Sequence, residues 1–104
     1  MDTIREYVSD DAEIIRELLR LTINELRNSR SDLESLLIHP NLSELNQTGH
    51  RLYGTAVSAG MDQLARIARK IEHLTKVDED TIGNIIRDAV EEIDLVVELI
   101  KNEI

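Results

Sequence analysis

Leu42, Leu45, Gly49, Leu52, Ala56 and Ala59 follow one another at alternating spacings of three and four residues. That rhythm predicts a helix with one buried seam, since positions three and four apart share a helical face. The same rhythm recurs along the chain. Ile15, Leu19, Ile23, Leu26, Leu33 and Leu37 form a stripe on a long preceding helix. Met61, Leu64, Ala65, Ala68, Ile71 and Leu74 form one on a later helix, and Ile82, Ile85, Ile86, Ala89, Ile93, Val96, Val97 and Ile100 form one on the last. A short additional helix is expected over roughly Asp2 to Val8.

Boundary residues divide these stripes. Ser9 or Asp10 suits the cap of the long helix, with Glu13 three positions after Asp10 in a capping-box arrangement. His39-Pro40-Asn41 ends it, because proline lacks an N–H and keeps the residue before it out of helical geometry. Asn41, with Glu44 at the third position, starts the next helix; Gly60 ends that helix or brings it close to a neighbour; Asp78 caps the last one. Four long amphipathic helices joined by short loops predict an all-α, up-down-up-down four-helix bundle with a short extra N-terminal helix. The broad apolar face of the last helix suits burial against two neighbours and equally suits self-association.

Composition narrows the function. At 104 residues the chain is expected to form a single domain over 1–104, too short for separate catalytic and cofactor domains. With two Tyr and neither Phe nor Trp, the core must be aliphatic. Asp and Glu outnumber Lys and Arg by 21 to 12, giving a formal charge of −9 and no basic run, which argues against nucleic acid. No apolar run approaches the ~18 residues that cross a bilayer, and the N-terminus lacks an apolar signal segment. A soluble protein of the cytoplasm is expected. The absence of cysteine excludes disulfides and thiolate chemistry.

The candidate chemistry sits in His50-Arg51-Leu52-Tyr53-Gly54-Thr55-Ala56. A glycine inside a helix costs ~1 kcal/mol relative to alanine, so Gly54 is expected to serve access to the imidazole one turn away. His50 falls about 130° from the centre of the Leu45, Gly49, Leu52 and Ala56 seam and should face solvent, beside Asn46, Gln47, Tyr53, Gly54 and Val57. An imidazole with an ordinary pKa of ~6.5 offers a nitrogen lone pair near neutral pH. Such a ring accepts a phosphoryl group without an activating base when a partner supplies positioning and charge.

These residues, His50-x-Leu52-x-Gly54-Thr55-Ala56 with Gly60, Leu64 and Ile71-Glu72 after them, resemble a histidine-containing phosphotransfer (HPt) domain over nearly the whole chain. The small residue before the histidine, Gly49, and the acidic Glu72 after Ile71 fit that resemblance. It implies a helical bundle that accepts phosphate on His50 from a receiver-domain aspartate and passes it to another receiver, with Gly54 as clearance for the incoming pocket. Gln47, Arg51, Tyr53, Gly54 and Val57 would be the supporting or partner-contacting residues. The expected partners are response-regulator receivers or a hybrid histidine kinase, from which the chain could be a fragment. No cofactor of its own is expected, Mg²⁺ belonging to the receiver, and no glycine-rich nucleotide loop suggests an ATP site. The family usually carries lysine three residues after the histidine, where its charge helps hold the phosphoryl oxygens; this chain has Tyr53. Arg51 points about 100° away from His50, which leaves Arg69 or Lys70 as candidate replacements.

Other readings are weaker. His39 stands before a proline, and His73 has no glycine one turn on. No His is preceded by Glu at the third position, as a bundle di-iron site requires, so no metal site is expected. The acidic residues Asp78, Glu79, Asp80, Glu91, Glu92 and Asp94 read as a helix start and a solvated face. Two functional alternatives remain: a bundle that binds partners without carrying phosphate, and the phosphoacceptor domain of a chemotaxis-type histidine kinase.

Overall fold

The computed structural model describes residues 12–103, and in them four helices and no strand. They are α1 (Ala12–Ile38), α2 (Leu42–Ser58), α3 (Asp62–Glu72) and α4 (Glu79–Lys101). The short helix expected over Asp2 to Val8, with the caps Ser9 and Asp10, lies outside the described residues.

Local chemistry accounts for each boundary. The N–H of His39 still reaches Ser35 O at 3.0 Å, and Pro40 then has none to continue the ladder. Asn41 is extended, and its side chain accepts from the Glu44 N–H at 3.0 Å, capping α2. At the other end Gly60 has φ +73°. Its N–H bonds Val57 O at 3.1 Å while Met61 N–H bonds Ala56 O at 2.8 Å, the paired bonds of a Schellman motif. A β-carbon at Gly60 would meet nothing within 4 Å, so this glycine stops the helix and does not serve close packing. Asp78 accepts from Asp80 N–H at 3.1 Å and caps α4.

Packing links α1 to α2 and α4, and α3 to α2 and α4, with no close backbone approach across either diagonal among the described residues. The centre is aliphatic: Leu26, Leu33, Leu45, Leu52, Leu64, Ile71, Ile82, Ile86 and Ile93 are essentially inaccessible. Each such side chain contributes about 1.5–3 kcal/mol by leaving water. The broad face of α4 is used as expected against two neighbours, although Leu95 and Leu99 stay outside it.

One stripe differs from expectation. On α1 the seam runs through Leu26, Ser29, Leu33 and Leu36, leaving Leu37 46% exposed. A repeat alternating three and four averages 3.5 residues, so the seam walks about 20° per heptad around a helix of 3.6. By the last turn it has passed Leu37 and reached Leu36. Ile67 is buried on α3 as well, beside the predicted stripe.

The described residues form a rod, 48 Å long and 19 × 18 Å across. His50, near the middle of α2, therefore lies on its flank.

Candidate functional site

The site begins with a missing side chain. A β-carbon at Gly49 would collide with the Glu72 backbone nitrogen and stand 2.9 Å from Ala68 O and from Glu72 Cα. These are backbone atoms, which cannot swing aside. Gly49 thus lets α2 and α3 approach backbone to backbone, and the last residue of α3, Glu72, is brought beside His50. Asn46 fixes the same end of α3: its Nδ2 donates to Ile71 O, which also accepts from the Leu74 N–H, and to Leu74 O just past the helix, both at 3.1 Å.

His50 is 74% exposed at its side chain, and its Nδ1 lies 2.5 Å from Glu72 Oε2, whose side chain is 21% exposed. The hydrogen bond from His50 holds the Glu72 carboxyl below the usual carboxylate range, against the partial burial that would raise it; the charges of His50, His73 and Arg69 act in the same direction. His73 Nε2 stands 3.7 Å from the other oxygen, Oε1. An ionised carboxylate only accepts, so Nδ1 of His50 is assigned as the donor and Nε2 of the neutral ring keeps the lone pair. One nitrogen is anchored and the other is free.

Around the ring the candidate residues divide. Gly54 is exposed, with nothing within 4 Å of where its β-carbon would be, and Val57 is 53% exposed one turn further on. Gln47 is exposed and its Nε2 reaches Ser43 Oγ at 3.5 Å. Tyr53 is half-buried against the core, and the Arg69 guanidinium sits 4.9 Å from its ring centroid. Arg51 turns the other way, donating to Asp32 at 3.3 Å on α1 and to Thr48 Oγ1 at 3.2 Å. His50, Tyr53, Gly54 and Val57 thus follow one another within two turns of α2, while the Arg51 side chain is directed to Asp32 of α1.

Glu72 is the residue that sequence reasoning did not place in the site, although it was part of the resemblance. The signal was available in the hairpin. His50 and Glu72 both lie eleven residues from Met61, and Tyr53 and Arg69 both lie eight, so the pairs face each other across a turn centred there.

Residues 17–103 match the Hpt domain family. The chain belongs to that family. Hpt membership implies histidine phosphotransfer in two-component signalling, by a carrier without an ATP site of its own, and interaction with receiver domains or histidine kinases. Comparison with curated proteins and with solved structures found no match. No helix of the described residues is long and apolar enough to cross a membrane.

Proposed function

We propose that this Hpt domain is a phosphorelay carrier in which His50 receives a phosphoryl group from a receiver-domain aspartate and hands it to a second receiver. The observation that carries the reading is the bond from His50 Nδ1 to Glu72, made by an imidazole that is otherwise open to solvent. In this reading Nε2 attacks phosphorus in line, the N–P bond forms, and the acyl phosphate P–O bond breaks to release the receiver carboxylate. The ring gains positive charge as Nε2 becomes bonded, and Nδ1 keeps its proton. The Glu72 carboxylate faces that proton and offsets the charge where it develops. Mg²⁺ would be the receiver's contribution, and Gly54 and Val57 the surface its pocket meets. Gln47 would stand at the edge of the same surface.

The four helices are read as an up-down-up-down bundle. The short connections at residues 39–41, 59–61 and 73–78, and packing only around the perimeter, support that arrangement. Incubation with a phosphorylated receiver should label the wild-type chain and leave His50→Gln unlabelled. Labelling of His50→Gln at the wild-type rate would remove His50 from the role. Labelling by an ATP-binding kinase domain, with none from any receiver, would select the chemotaxis-type alternative.

A further inference from the structure

Phosphorylation adds a phosphoryl group of about two negative charges, only partly offset by the charge on the ring, beside a carboxylate in a chain of net charge −9. A cation within reach would stabilise that state. Arg51 is spent on Asp32 and Thr48. Lys70 is turned about 100° around α3 from its neighbour Arg69.

Arg69 differs from both. It lies three residues before Glu72 on α3, as Tyr53 lies three after His50 on α2, so the contacts His50–Glu72 and Tyr53–Arg69 are successive rungs between two helices of opposite direction. Three residues of helix rise about 4.5 Å, one rung. The guanidinium is held by the face of the Tyr53 ring, and among the described residues it makes no ion pair or hydrogen bond, so its N–H donors are uncommitted. Its charge is the least of the influences that lower the Glu72 carboxyl.

Resting on the phosphoacceptor reading of His50, we propose that Arg69, shelved on Tyr53, is the cation that binds the phosphoryl oxygens of phosphorylated His50. Arg69 is then a positioning residue for the phosphorylated state, and Tyr53 is its support. A planar guanidinium suits two oxygens of one phosphoryl group, and an aromatic shelf limits the rotamers it must give up on binding.

The test compares wild type, Arg69→Ala, Arg69→Ala with Tyr53→Lys, and Lys70→Ala. Each is phosphorylated with phosphoramidate, which needs no receiver, and phosphohistidine lifetime is followed by 31P NMR. The equilibrium of phosphoryl exchange with a receiver is measured in parallel. Arg69→Ala should shorten the lifetime and shift the exchange toward the receiver by roughly three- to tenfold, the range of one exposed charge-assisted hydrogen bond. Tyr53→Lys should restore both in the Arg69→Ala background, a rescue that a merely structural role for Arg69 would not show, and Lys70→Ala should leave both within twofold of wild type. Unchanged lifetime and exchange in Arg69→Ala, or an equal loss in Lys70→Ala, would overturn the assignment while leaving His50 as acceptor. Phosphoramidate labelling that persists in His50→Gln would instead overturn the reading beneath it.

Discussion

The bond between His50 Nδ1 and Glu72 governs the chemistry available to the imidazole, because it decides which nitrogen is free. Glu72→Ala removes the acceptor, and the neutral ring is then expected to redistribute its proton between the two nitrogens. In 15N-detected NMR, wild-type His50 should show the Nδ1–H tautomer alone and Glu72→Ala a mixture; a mixture in wild type would contradict the anchoring. The same bond has a pH signature. Because the folded pKa of Glu72 is depressed, its ionised form adds stability at every pH above the ordinary carboxylate value, and that contribution is lost as pH falls through the lower folded value. Titration of the Glu72 carboxyl carbon should therefore fall below the usual range, and return to it in His50→Gln. Gly54 supplies a second test at this scale. With open space at its β-carbon position, Gly54→Ala should stabilise the fold by about 0.5–1 kcal/mol through helix propensity. If that space is for a receiver, the more stable variant should also transfer phosphate several-fold more slowly. Gly83, equally unobstructed on α4, is the control: Gly83→Ala should gain similar stability with transfer unchanged.

Among the helices, the hairpin of α2 and α3 carries the site, and Gly49 sets its spacing. Gly49→Ala drives a methyl group into the backbone of α3, so the helices must separate; overpacking of this kind costs about 1–3 kcal/mol. Denaturant unfolding should show that loss, together with a weakened His50–Glu72 bond in the NMR tautomer assay. The seam of α2, the caps at Asn41 and Asp78 and the stop at Gly60 were legible in the sequence because each depends on residues within one or two turns. Leu36 and Ser29 on α1 were missed because the drift of a 3.5-residue repeat accumulates along 27 residues, where a stripe chosen locally goes astray. Glu72 and Arg69 were quoted but not placed, for a different reason. Whether they face His50 depends on the register between two helices, which the Met61-centred turn and the close approach at Gly49 determine together. Asn46 looked like part of an accessible patch, yet its amide is committed to the carbonyls ending α3.

On the scale of the whole molecule, the perimeter packing leaves each helix an outward face, and the exposed imidazole occupies one on the flank of a 48 Å rod. A rod with the imidazole on its side offers a long surface to a docking partner. That geometry suits a carrier which meets donor and acceptor domains in turn through one surface. Elsewhere the polar groups tie helices together, as in Arg30 of α1, which bonds both carboxylate oxygens of Asp94 on α4 at 2.8 and 3.1 Å. The most direct measurement is the position of the phosphoryl group after reaction with a phosphorylated receiver, mapped by fragmentation mass spectrometry and by 31P–15N correlation. A single phosphoryl group on His50, bonded to Nε2, is the expected result; phosphate on His39 or His73, or on Nδ1 of His50, would contradict it.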